Sequence, residues 1–176
     1  VMTTEGQQEI RELSSQYEIS ISSLTGDCFM QAPFYKVTGK NRESLLQDLQ
    51  NIITSCGLLG VESIVFPLVD NGRLENSEQE KALLKGLSQA EPALQNYGID
   101  IVFESDFMPD RLKDFIDHFS PENYGINYDI GNSAAMGFDP EEEIKAYGER
   151  IINVHIKDRL INGTTVPLGN GNADLQ

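Results

Sequence analysis

Three stretches of this chain share one plan, and that plan constrains its fold more than any other feature. Ile99-Asp100-Ile101-Val102-Phe103 runs into Glu104, Ile126-Asn127-Tyr128 into Asp129, and Ile152-Asn153-Val154 into His155. Each is a short, apolar-rich segment closed by a side chain able to bind a metal ion. Asp129 lies 25 residues after Glu104, and His155 lies 26 after Asp129. That is about the length of one strand-loop-helix-loop unit in a parallel α/β fold. Ligand-type residues at the same place in successive units converge at the carboxyl ends of neighbouring strands, where such folds carry their active sites.

The rest of the chain alternates in the same way. A leading helix is expected from Ile10, Leu13 and Tyr17, which sit at helical spacing. Glu18 to Leu24 reads as a strand, broken by Thr25-Gly26-Asp27. Asn41 can cap a helix carrying Leu45, Leu46, Leu49, Ile52 and Ile53, with Gly57 at its end. Val61 to Val69 is a nearly continuous apolar run, the pattern of a strand buried on both faces, and Asp70-Asn71-Gly72 closes it. Ser77 and Glu80 form a capping-box pattern ahead of a helix with Ala82, Leu83, Leu87, Ala90 and Leu94, in which Pro92 is expected to make a kink or break. Further helices are expected from about Asp110 to Phe119 and after the Asp139-Pro140 cap. Asn162 to Gln176, rich in Gly, Asn and Thr, reads as a long loop. The expectation is one domain over residues 1–176: five strands, four helices between them and one in front, giving a parallel sheet covered by helices.

Charge narrows the function. There are 13 basic and 28 acidic residues, a net charge of −15. Such a surface repels phosphodiester backbones, so neither nucleic-acid binding nor a membrane-surface role is expected. No apolar run reaches the length of a bilayer span, and Val1-Met2-Thr3-Thr4-Glu5-Gly6 lacks the basic-then-apolar order of a signal peptide. Cys28 and Cys56 form no metal-type pair; both are expected to be buried, free thiols in a reducing cytoplasm.

Glu104, Asp129 and His155 make an oxygen-rich set with one imidazole, which suits Mn²⁺, Mg²⁺, Co²⁺ or Zn²⁺ without choosing among them. A hard divalent ion can chelate adjacent oxygens of a sugar and polarise a carbonyl, while a nearby carboxylate moves a proton at the adjacent carbon. Singly, each residue has a structural alternative: a carboxylate at a strand end caps the next helix or pairs with a cation, and a histidine there can be a hydrogen-bonded core residue. Their common register favours the site. Asp70 and Asn71 end an earlier strand, as substrate contacts or as a turn. Asn132 follows Asp129 by three residues. Lys157 and Arg159 could hold a phosphate or sugar hydroxyls, with a solvated, acid-paired loop as the alternative. Gly169-Asn170-Gly171 could form an anion-binding nest.

These residues resemble a known family, the xylose-isomerase-like TIM barrels, which include sugar and sugar-phosphate isomerases and epimerases, ketose 3-epimerases and endonuclease IV. Phe103-Glu104-Ser105-Asp106 resembles the first metal glutamate. Tyr128-Asp129-Ile130-Gly131-Asn132-Ser133-Ala134-Ala135 is similar to the Asp-bearing strand and loop, Asn153-Val154-His155-Ile156-Lys157-Asp158-Arg159 to the His-x-Lys-Asp segment, and Thr165-Val166-Pro167-Leu168-Gly169-Asn170-Gly171 to the loop after it. The resemblance implies that Glu104, Asp129 and His155 are the first three metal ligands and that Glu104 is also a catalytic acid-base; Asp70, Asn132, Lys157 and Arg159 remain, from their places in the chain, the candidates for contacting a sugar or sugar phosphate. The family reaction moves a proton through a metal-bound enediolate.

The resemblance also implies a partial (β/α)8 barrel. The strands correspond to the third through seventh of eight, lacking the first two and the last, which carries the family's fourth ligand. Where many epimerases carry a histidine three residues after the metal aspartate, this chain has Asn132. Endonuclease IV holds three zinc ions with extra histidines, and this chain has only His118 and His155. An opened barrel exposes two strand edges, so three outcomes are open: a fragment of a longer protein, a truncation that pairs with another copy, or rearranged ends; if this is the whole functional chain, a homo-oligomer covering the edges is expected. The alternative functions are a non-catalytic truncated barrel serving assembly or sugar binding, and a single-metal hydrolase.

Overall fold

The structure, a computed structural model, describes residues 1–175. By its internal contacts the chain divides into two compact units, residues 1–101 and residues 102 onward.

The first unit runs α1 (Thr4–Tyr17), β1 (Ser23–Thr25), α2 (Asp27–Gln31), a 3-10 turn at Phe34–Lys36, α3 (Gly39–Leu59), β2 (Ser63–Leu68), a second 3-10 turn at Asp70–Gly72, α4 (Ser77–Tyr97) and β3 (Asp100–Ser105), whose later residues belong to the second unit. The apolar run of β2 explains its place: Ile64, Val65, Phe66 and Leu68 are all buried. Phe29 of α2 stacks on Phe66 with ring centroids 4.8 Å apart, and Phe34 meets the same ring edge-on at 6.4 Å. Leu49, Ile52 and Ile53 of α3 and Leu83, Leu87, Ala90 and Leu94 of α4 complete this core, each row repeating at helical spacing.

Several boundaries differ from the sequence reading, each for a local reason. The first strand is only three residues long. Glu18 adopts a left-handed conformation (φ 53°) and caps α1, and only Ser23–Thr25 pair with Ser63–Val65, in parallel. No residue of α1 is buried, so its Leu13 and Tyr17 are exposed. Helix α3 runs past Gly57 to Gly60, which takes the left-handed cap conformation at φ 74°. Gly57 serves packing instead: a β-carbon there would lie 2.3 Å from the Tyr97 ring. Asn76, one residue before the expected Ser77, caps α4 by accepting from the Gln79 N–H at 3.0 Å. Pro92 does not end α4. It lies on the exposed side of the helix, as does Ser88, whose carbonyl it leaves without a helical donor. Cys56 is buried, and burial pushes its thiol up to about 11. Cys28 is exposed, contrary to expectation, because the one-turn α2 turns Phe29 rather than its neighbour into the core.

The second unit adds α5 (Pro109–Ile116), β4 (Tyr124–Asp129), α6 (Ile130–Met136), α7 (Pro140–Tyr147), a 3-10 turn at Gly148–Arg150 and β5 (Ile151–His155). An antiparallel pair follows, β6 (Asp158–Arg159) with β7 (Thr165–Val166). The stretch from Asn162, read as loop, therefore contributes one short strand; its last residue, Gln176, lies outside the described residues. Phe103 centres the core of this unit, with ring centroids 5.1 Å from Phe115, 4.9 Å from Phe119 and 6.2 Å from Tyr124. Asp139 caps α7 as the sequence indicates. Helix α6 was not expected, because Gly131-Asn132-Ser133 has the composition of a turn; Asp129 caps it.

The five longer-range strands form one sheet in the order β1-β2-β3-β4-β5, the chain order expected of consecutive β/α units. Strands β4 and β5 pair in parallel with Asn127 opposite Asn153 and Asp129 opposite His155. This is the α/β class and strand count anticipated. Among the described residues, no helix is long and apolar enough to cross a membrane.

Candidate metal centre

Strand geometry brings the three sequence-marked residues together. Side chains alternate between the faces of a strand, so Asn127 and Asp129 share one face of β4, and Asn153 and His155 share the same face of β5 through the register. Glu104 joins them from the end of β3. One ligand atom from each of Glu104, Asp129 and His155 lies within 4.8 Å of the others. His155 Nδ1 is 3.2 Å from Glu104 Oε2 and 3.8 Å from Asp129 Oδ2. Asp129 is buried, and the other two are half-buried.

An asparagine network orients the set. Asn153 Nδ2 donates to Asn127 Oδ1 at 2.7 Å, which turns the Asn127 amide nitrogen toward the site. That nitrogen donates to Glu104 Oε2 at 2.8 Å and lies 3.0 Å from His155 Nδ1. In the tautomer in which His155 Nδ1 accepts from Asn127, three acceptors face one another. Asn132 Nδ2 donates to Glu104 Oε1 at 2.8 Å, and its backbone N–H donates to Asp129 Oδ1 at 2.8 Å. Burial, then the neighbouring Asp129 charge, push the Glu104 carboxyl above its usual range, partly opposed by His155 and Lys157.

Facing acceptors favour a cation between them. Metal–ligand distances of about 2.0–2.2 Å place neighbouring donors roughly 3 to 3.6 Å apart; His155 Nδ1 lies 3.2 Å and 3.8 Å from its two carboxylate neighbours, and the set as a whole spans at most 4.8 Å. The donor set therefore fits a divalent ion. The structural alternatives are present too: Asp129 Oδ1 caps α6, and its Oδ2 pairs with Lys157 Nζ at 2.7 Å. Asp129 thus has both the geometry of a ligand and the partners of a structural acid.

The remaining sequence-marked residues divide. Asn132 and Lys157 sit in direct contact with the acidic ligand set. Arg159 touches that set through Asn132, donating from Nη1 to Asn132 Oδ1 at 2.8 Å and from Nη2 to the Gly163 carbonyl at 2.8 Å. Gly131 allows this crowding: a β-carbon there would lie 2.8 Å from the Lys157 carbonyl oxygen. Asp70 belongs to the first unit. It is exposed, at the carboxyl end of β2, in a left-handed conformation (φ 48°), while Asn71 donates to the Met30 carbonyl at 2.8 Å, as a turn residue does. The Gly169–Gly171 nest does receive an anion, but an internal one. Asp158 accepts from the N–H groups of Gly169 (2.9 Å), Gly171 (2.8 Å) and Ala173 (3.0 Å), and these bonds hold its carboxyl below the usual range.

Asn127 and Asn153 are the site residues that sequence reasoning missed. Their signal was available: each is a polar residue in an apolar strand, two positions before a ligand-type side chain and so on its face.

The chain is 24% identical over 127 residues to an inosose isomerase of Bacillus velezensis; the match spans 68% of the chain and 45% of that enzyme, less than half its length. It shares its fold with a xylose isomerase domain protein from Planctomyces limnophilus (TM-score 0.76, 21% identity, 97% of this chain and 67% of that one). It shares it also with the IOLI protein solved with a zinc atom (TM-score 0.74, 21% identity, 94% and 65%). The family model described as xylose isomerase-like TIM barrel matches residues 1–176, and the chain belongs to that family of sugar isomerase- and epimerase-like proteins.

Proposed function

We propose that this chain carries the centre of a divalent-metal-dependent sugar or sugar-phosphate isomerase or epimerase. The observation that carries the reading is the convergence of Glu104, Asp129 and His155 acceptor atoms within 4.8 Å at the ends of three strands. Asp129 and His155 are the holding ligands, and Glu104 is ligand and proton carrier. A bound divalent ion would supply charge stabilisation at the carbonyl and hydroxyl oxygens of the sugar.

Glu104 takes the proton from the carbon next to the carbonyl onto a carboxylate oxygen and returns it at the product carbon. Asn127 and Asn132, each donating to a different Glu104 oxygen, keep the carboxylate in one orientation. Lys157 and Arg159 supply positive charge beside the set for sugar hydroxyls or a phosphate, and Asn132 is assigned to sugar hydroxyls. The zinc atom of one structural relative and the inosose isomerase name of another support a divalent ion and a sugar-like ketone as first choices. The reading includes a second copy of the chain as the partner that covers the open strand edges; sedimentation analysis tests it.

The direct test is proton exchange. With Mn²⁺ and an inosose or simple ketose in deuterated water, deuterium is expected at the carbon beside the carbonyl, and Glu104→Gln is expected to abolish it. A metal-loaded protein that exchanges no proton from any ketose would contradict the isomerase reading.

A further inference from the structure

A second buried carboxylate lies behind the segment that carries Asp129. Glu143 of α7 is only 3% exposed, and its partners are three hydroxyls. Tyr128 donates to Glu143 Oε2 at 3.0 Å, Ser133 donates to the same oxygen, and Tyr147 donates to Oε1 at 2.6 Å. Burying a carboxylate away from a cation is costly unless its oxygens are satisfied, and here they are.

The placement of two of these donors is informative. Tyr128 immediately precedes Asp129, and Ser133 immediately follows Asn132. Between those two anchors the chain changes from β4 to α6, and within it Asp129 and Asn132 face the site and hold Glu104 and each other. Asp129, Asn132, Ser133, Glu143 and Tyr147 all line one small cavity of about 20 Å³, room for about one water.

We propose that Glu143 is a positioning residue for the metal centre, a clamp that fixes the Tyr128–Ser133 segment at both ends and thereby sets where Asp129 and Asn132 point. This rests on the metal reading for its functional consequence but not for its geometry. Partners that orient ligands commonly change metal affinity by tenfold or more when removed. Tyr147 is the internal control: its hydroxyl bonds the same carboxylate from within α7, outside the clamped segment.

The test compares Tyr128→Phe, Ser133→Ala and Tyr147→Phe in the full chain, each deleting one hydroxyl from the same carboxylate. Two readouts are taken: amide hydrogen exchange at the Asn132 N–H, measured without metal, and Mn²⁺ affinity by calorimetry. Tyr128→Phe and Ser133→Ala should each speed Asn132 exchange and weaken Mn²⁺ binding about tenfold, with Tyr147→Phe changing neither, whatever it does to the melting temperature. Unchanged Asn132 exchange in Tyr128→Phe and Ser133→Ala, or equal acceleration in all three variants, overturns the clamp. If the parent protein takes up no Mn²⁺, the metal reading fails, while the exchange data still decide the clamp.

Discussion

Glu104 and Glu143 are both carboxylates withdrawn from solvent in the same unit, and their surroundings are opposite. Each oxygen of Glu143 meets hydroxyl donors. Glu104 also receives two amide donors, but its Oε2 faces the Nδ1 lone pair of His155 and a second carboxylate. Donors and acceptors balance around Glu143, and acceptors are in surplus around Glu104. A balanced buried acid needs nothing further and holds structure together. A surplus of convergent acceptors is satisfied only by a cation, either a proton or a metal ion.

The largest stability effect expected from this contrast is at the balanced site. Glu143→Ala strands three hydroxyls and should cost about 3 kcal/mol in urea unfolding. Glu104→Ala, at the acceptor-rich site, should cost far less in the metal-free protein, and comparable losses at both positions would erase the distinction.

Glu104 also gives a pH test. Its folded-state carboxyl is raised above the ordinary value near 4.3. Its contribution to stability is therefore fully present below about pH 4 and is lost as pH rises through the raised value. Metal-free Glu104→Gln should lack that decline, so plots of melting temperature against pH for the two proteins should diverge upward of that range. Parallel plots would mean that the carboxyl titrates normally.

Asp158 extends the comparison with the sign reversed. Three backbone N–H groups lower its carboxyl, so the stability that it confers on the loop through Gly169, Gly171 and Ala173 is present above the ordinary aspartate range near 3.9 and lost as pH falls through the lowered value. Asp158→Asn should speed exchange of those three amides by at least about tenfold at neutral pH. The smallest effect is at Lys157, whose ammonium occupies Asp129 Oδ2. Lys157→Met should tighten Mn²⁺ binding by roughly fivefold, about 1 kcal/mol, because a competing cation is removed; weaker binding would show that Lys157 supports the site rather than competing for it.

The strand ends were legible in the sequence because the same physical demand repeats: an apolar run to fill a core, then a polar residue where the strand leaves it. That logic located Glu104, Asp129 and His155. It did not reveal α6, since Asp129-Ile130-Gly131-Asn132-Ser133 has turn-forming composition and becomes helical only with the Asp129 cap in place. It missed Asn127 and Asn153 because the strands were read as apolar runs rather than as two alternating faces. Asp158 as the occupant of the Gly169–Gly171 nest, and Glu143 behind Tyr128 and Ser133, depend on pairings 10 to 15 residues apart that no local pattern encodes.

The central claim is that Glu104, Asp129 and His155 form one cation site. Calorimetric titration of Mn²⁺ into the metal-stripped protein, with His155→Ala in parallel, tests it most directly. The account predicts one-to-one binding that the variant loses while its circular dichroism stays that of the parent. Absence of binding in the parent, or retained stoichiometric binding in His155→Ala, would contradict it.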